Sequence, residues 1–157
     1  MFTVLFVCSG NTCRSPMAEM ILKHLLKEKG LLQKIKVYSA GVHAFDDGDM
    51  SEHAKTVLAK YDIDAADFSV KRLDAEHVEK ADLVLCVTKG HVAAVRAFFP
   101  KVMEKVHLLG SFASDGIDVS DPFGMGVKEY EECFWQLKDL IEKALPKIIS
   151  LLKEDKR

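Results

Sequence analysis

A change of rhythm near the amino terminus sets the fold class. Val4-Leu5-Phe6-Val7 is an unbroken apolar run ending at Cys8, of the kind that fills a parallel strand covered on both faces. The polar stretch Ser9-Gly10-Asn11-Thr12-Cys13-Arg14 follows, and then Met17, Ile21 and Leu25 recur at the spacing of one buried helical face. Ser15 reads as the cap of that helix and Pro16 as its first residue. A strand that passes through a short loop into a helix commits the chain to an α/β arrangement.

The remainder repeats the pattern. Residues 36–40, 81–87 and 105–109 read as further strands, and 51–61, 74–80 and 89–99 as helices. A last helix beginning near Val127 carries Tyr130, Phe134, Leu137, Ile141, Leu145, Ile148 and Leu152 at steps of three and four, with Pro146 expected to kink or break it. Residues 153–157 read as a solvated end that frays. This order predicts a single-domain α/β fold over residues 1–157, a four-stranded mostly parallel sheet with helices on both faces. A phosphate-binding loop is expected between the first strand and first helix.

Composition narrows the partners. With 157 residues and 48% hydrophobic content there is enough for one substantial core, and a formal charge of −2 argues against a broad basic face for nucleic acid. No apolar stretch reads as a membrane span or a secretory leader, so a cytoplasmic protein with no membrane partner is expected. Four cysteines do not make a disulfide scaffold, and a reducing compartment keeps Cys8 available as a nucleophile.

The loop after the first strand carries the chemistry. Unpaired amides of a first helical turn and successive loop amides form a concavity of partial positive charge that suits phosphate. A cysteine there, beside Arg14, is expected to ionise more readily than free cysteine, whose pKa is about 8.5, and so to be a thiolate at neutral pH. Arg14 offers a planar fork for two phosphate oxygens. Gly10 and Asn11 tolerate the conformations that curl a loop around a ligand, and Ser15 can donate a hydrogen bond to the sulfur.

The segment from Val7 to Glu19, with Cys8, five residues, Arg14-Ser15-Pro16 and Met17-Ala18-Glu19, resembles the signature of the low-molecular-weight protein tyrosine phosphatases. The Asp121-Pro122 pair matches a second family element on a late loop, and the resemblance covers essentially the whole chain. It implies hydrolysis of phosphorylated side chains through a phosphocysteine, with Cys8 as nucleophile, Arg14 as the phosphate-holding cation and Asp121 as general acid and then base. Ser9, Gly10, Asn11, Thr12, Cys13, Arg14 and Ser15 are the expected phosphate-binding residues. No cofactor or metal is implied; the expected partners are phosphorylated proteins or peptides, with inorganic phosphate as product. Asp115 and Asp118, on the same late loop, read as turn formers.

The expected substrate pocket is Thr12, Phe45 and Phe123, and its signals are mixed. Thr12 stands where arginine-phosphatase members carry threonine and tyrosine-type members an aliphatic residue. Phe123-Gly124 stands where tyrosine-type relatives often present two aromatics. Both features resemble the protein arginine phosphatase branch, whereas Phe45 falls where tyrosine-type members place an aromatic wall. The reading leans to arginine, with a protein tyrosine phosphatase as the alternative. By the same resemblance Cys13 is a candidate redox partner of Cys8, beside the plainer reading of a small buried loop residue.

Cys86 and Cys133 read as core residues, and the six histidines show no metal-ligand spacing; His43 and His91 are candidates for loops on the active face, with surface placement the default. An arsenate reductase on this fold would need further cysteines after the third strand, where Val92 offers no thiol. A nucleotide-binding loop would need a Gly-Lys-Ser/Thr ending, which Arg14-Ser15 does not supply. A catalytically silent phosphate-binding module is the remaining alternative, one that retention of Cys8, Arg14 and Asp121 together makes unnecessary.

Overall fold

A computed structural model of the chain describes residues 1–46 and 48–155. Four strands, β1 (Phe2–Cys8), β2 (Ile35–Gly41), β3 (Leu83–Cys86) and β4 (Val106–Leu108), form one sheet in the order β2-β1-β3-β4. Every pairing is parallel, with Cys8 opposite Gly41 on one side of β1 and Val7 opposite Cys86 on the other. Six helices connect and flank the strands: α1 (Arg14–Glu28), α2 (Glu52–Lys60), α3 (Ala75–Lys80), α4 (Lys89–Phe98), α5 (Leu109–Ala113) and α6 (Val127–Glu154).

The central position of β1 explains its unbroken apolar sequence. Val4, Phe6 and Cys8 point into the larger core, built with α1, α2 and α6, whereas Leu5 and Val7 join Val78 of α3, Val95 of α4 and Cys86 on the opposite face. The chain leaves β1 toward β2 on one side and returns to β3 on the other. The carboxyl ends of β1 and β3 therefore flank a topological switch point, the usual ligand crevice of open α/β sheets.

Strand and helix ends differ from the sequence reading at several places. Leu109 opens α5 instead of closing β4, and a 3₁₀ turn over Pro100–Lys105 precedes that strand. α1 begins at Arg14 with Cys13 as its cap residue, so Ser15 is not the cap and Pro16 is not the first helical residue. Pro16 still falls within the first turn, where a missing N–H costs no intrahelical bond. α6 runs through Pro146 without a break. Pro146 lies on the exposed face and the carbonyl it deprives belongs to exposed Glu142, where water can serve instead. Lys153 and Glu154, expected to fray, close α6; Lys156 and Arg157 lie outside the described residues.

Candidate active site

The carboxyl ends of the strands deliver the site. Beyond β1 the backbone pairing continues into the loop, where Val42 N–H donates to the Cys8 carbonyl at 3.0 Å and His43 N–H to the Ser9 carbonyl at 2.9 Å. Gly41 is required for this approach, because a Cβ there would lie 2.5 Å from the Ser9 carbonyl oxygen and 2.8 Å from the Asn11 nitrogen. The curl of the loop itself rests on Asn11, whose φ is 55°. Gly10 has no positive φ, and a Cβ there would make only an ordinary 3.6 Å contact with Thr12 Oγ1, which corrects the expectation that its backbone freedom is needed.

A cavity of about 210 Å³ opens over this loop, lined by Cys8, Ser9, Gly10, Thr12, Cys13, Arg14, Asp121 and Phe123. Asn11 and Ser15, expected among the phosphate-binding residues, do not line it. Both are fully buried behind the loop and bonded to the sulfur: Ser15 Oγ lies 2.8 Å from Cys8 Sγ, and Asn11 N–H donates to that sulfur at 3.3 Å. Phe45 does not line the cavity either. It is 80% exposed on the loop after β2, so the aromatic wall is Phe123 alone.

Hydrogen-bond direction can be assigned through the support. Asn11 Nδ2 donates to both Ser15 Oγ and Ser39 Oγ, each at 2.9 Å, and Ser39 donates to buried Glu19 Oε1 at 2.6 Å. Lys71 N–H completes the amide by donating to Asn11 Oδ1 at 2.9 Å. Ser15 Oγ accepts from Asn11 and keeps its own proton available for Cys8, to which it donates when the sulfur is a thiolate. Sequence reasoning missed Ser39 and the role of Glu19; an acidic residue within the buried stretch of α1 was the available signal.

Burial pushes the Cys8 thiol up from its ordinary value, while the Ser15 hydroxyl, the Ser15 N–H, the Arg14 charge and the Asn11 N–H pull it down. The sequence reading counted only the positive surroundings and expected a thiolate at neutral pH; desolvation of the sulfur reverses that direction. Because the Ser15 hydroxyl exerts the largest downward pull, Ser15→Ala is expected to raise the pH midpoint of Cys8 alkylation by iodoacetamide and to slow the reaction at neutral pH. An unchanged midpoint would show that the Ser15 hydroxyl does not hold the sulfur's charge.

Arg14 is buried, and its Nη1 donates to the Val119 carbonyl at 3.1 Å while Nη2 lies 3.4 Å from Asp121 Oδ2. The carbonyl fixes the guanidinium plane, leaving the rest of the five-donor fork for the cavity. The Asp121 carboxylate is half exposed, so the pair contributes about 0–1 kcal/mol and yields readily to a better ligand of the guanidinium. Asp121 Oδ1 also accepts from Phe123 N–H at 3.1 Å, which orients the carboxylate within its own turn.

The other two aspartates of that loop divide. Asp115 forms the expected local turn with Ile117 N–H at 3.0 Å, whereas Asp118 accepts from Lys89 N–H at 2.9 Å and ties the loop to α4. Cys13 is buried, its Sγ 3.2 Å from Tyr130 Oη. Cys86 and Cys133 lie in the two cores, and burial pushes both thiols up to about 12. His91, with the surface as the default expectation and the active face as the alternative, is buried beside the β1 loop with its Nε2 2.7 Å from Ser9 Oγ. Among the described residues, no group of three or more His, Cys, Asp or Glu is placed to hold a metal ion, and no helix is long and apolar enough to cross a membrane.

Known proteins are similar to this chain in sequence and fold. A protein-arginine-phosphatase of Geobacillus stearothermophilus is 40% identical over 149 residues, covering 94% of this chain and 96% of its own length. The low molecular weight protein-tyrosine-phosphatase PtpB of Staphylococcus epidermidis is 31% identical over 142 residues, covering 89% and 94%. A YwlE arginine phosphatase, solved as a cysteine-to-serine mutant with a phosphorylated active site serine, superposes with a TM-score of 0.88 at 35% identity over 99% of each chain. The model of the family described as low molecular weight phosphotyrosine protein phosphatase matches residues 3–157. With the β1 loop, the buried arginine and the late aspartate converging on one cavity, the chain belongs to the low molecular weight phosphotyrosine protein phosphatase family.

Proposed function

We propose that this chain is a protein phosphatase that hydrolyses phosphoarginine side chains through a phosphocysteine intermediate. The observation that carries the reading is the convergence of Cys8, Arg14 and Asp121 on one small cavity at the carboxyl end of β1. The reaction uses Cys8 as a thiolate nucleophile and Asp121 in its acid form. The thiolate attacks phosphorus in line, Arg14 and the loop amides hold the equatorial oxygens, and Asp121 protonates the departing guanidine nitrogen as the P–N bond breaks. Asp121, again a carboxylate, then takes a proton from a water that attacks the phosphocysteine and releases inorganic phosphate with the thiolate. Ser9, Gly10, Thr12 and Cys13 complete the phosphate-binding lining, with Asn11 and Ser15 supporting it from behind, and Cys13 is a candidate redox partner for Cys8. Four free thiols suit a reducing, cytoplasmic setting.

Thr12 lines the cavity and carries a hydroxyl able to hydrogen-bond a polar guanidine, while Phe123 is the one aromatic in the lining. The names of the relatives divide between arginine and tyrosine phosphatases, and a phenyl ring also fits beside Phe123, so phosphotyrosine is the second reading. Side-by-side hydrolysis of phosphoarginine and phosphotyrosine peptides tests the choice. Wild type is expected to prefer phosphoarginine, and Thr12→Ile to lower that preference by about 10-fold, the scale of one hydrogen bond. A wild type that ignores phosphoarginine would overturn the arginine reading and leave the tyrosine one.

A further inference from the structure

The residues lining the cavity come from the end of β1 and its loop, the start of α1 and the late loop; α4 meets the late loop through Lys89 N–H and Asp118, and the β1 loop through His91. Resting on the phosphatase reading, we propose that His91 is a positioning residue that sets Ser9 as a hydrogen-bond donor to the bound phosphoryl group. The ring is buried and held at both nitrogens, Nδ1 lying 2.8 Å from Thr88 Oγ1 and Nε2 2.7 Å from Ser9 Oγ. Thr88 is itself fixed, because it caps α4 and its Oγ1 accepts from His91 N–H at 3.2 Å. Ser9 is therefore clamped twice, its carbonyl by His43 N–H at 2.9 Å and its hydroxyl by the imidazole.

The consequence lies in the tautomer. When Thr88 donates to Nδ1, the ring carries its proton on Nε2 and donates to Ser9 Oγ, and the Ser9 proton is free to point into the cavity. In the other tautomer Nδ1–H donates to Thr88 and the Ser9 proton is spent on Nε2. A phosphoryl oxygen in the cavity rewards the first arrangement, so anion binding selects it. The choice exists only for a neutral ring. Burial above all, helped by the charges of Arg14 and His43 and opposed by those of Asp121 and Asp118, pushes His91 down to about 4.

The inference is tested by the affinity for inorganic phosphate, read from the concentration that protects Cys8 against iodoacetamide, alongside hydrolysis of p-nitrophenyl phosphate. His91→Phe is expected to raise the phosphate concentration for half-protection, and KM, by about 10-fold or more. His91→Asn retains a polar group for Thr88 but does not reach Ser9, and should behave like His91→Phe while preserving the α4 cap. His91→Gln restores a donor near the Nε2 position and should recover part of the loss. Adding His91→Phe or His91→Asn to Ser9→Ala is expected to cost nothing further, because the ring acts through that hydroxyl. Unchanged phosphate affinity in His91→Asn, or losses that multiply in the double variant, would overturn the proposal. Protection by phosphate needs no turnover, so a wild type that binds phosphate without hydrolysing the ester would refute the phosphatase reading and leave the His91 measurement standing.

Discussion

Cys8→Ala is expected to abolish phosphate release, lowering the turnover rate by on the order of a millionfold, the scale on which a covalent hydrolase loses activity without its nucleophile. The sulfur lies at the end of the central strand, 3% exposed, with Ser15 Oγ and Asn11 N–H directed at it. No other cysteine is so placed: Cys13 is bonded to Tyr130 Oη, while Cys86 and Cys133 are core residues whose thiols burial pushes up to about 12. The variant should fold, since removing one sulfur from the edge of the core leaves β1 and its pairings in place. Acid quenching of wild type during turnover of a ³²P-labelled substrate should recover label on Cys8. Near-normal phosphate release by Cys8→Ala would refute the covalent route.

Asp121→Asn is expected to lower turnover by roughly 100- to 10,000-fold, the contribution of a positioned general acid or base. The loss should depend on the leaving group. Guanidine must be protonated to depart, so phosphoarginine peptides should fall toward the upper end, whereas p-nitrophenolate leaves unaided and its ester should fall less. Phosphate affinity should hold or tighten, because the substitution removes the carboxylate 3.4 Å from the Arg14 guanidinium. A loss equal for both substrates, accompanied by weaker phosphate binding, would assign Asp121 to holding Arg14 instead of moving protons.

The two neighbouring aspartates show how far a loop sequence can be read. Asp115 caps its own turn, a local act that its spacing to Gly116 and Ile117 already implies. Asp118 instead reaches the first residue of α4, a partner distant in sequence. Ser15 teaches the same lesson, since helix-capping preference placed it at the cap, whereas the actual cap is Cys13 and the hydroxyl is turned to the sulfur. Phe45 was placed in the pocket by resemblance alone, and the loop after β2 leaves it in solvent.

Local chemistry determined the strand, the loop, the helix and the candidates for nucleophile and cation, because apolar periodicity and the spacing from Cys8 to Arg14 act over a few residues, whereas the family resemblance singled out Asp121 among the aspartates of the late loop. Tertiary structure alone decided the proton affinity of the sulfur and the placement of Ser39, Glu19 and His91 around the loop. Those depend on desolvation and on hydrogen bonds between segments far apart in the chain, neither of which has a signature in the order of neighbouring residues.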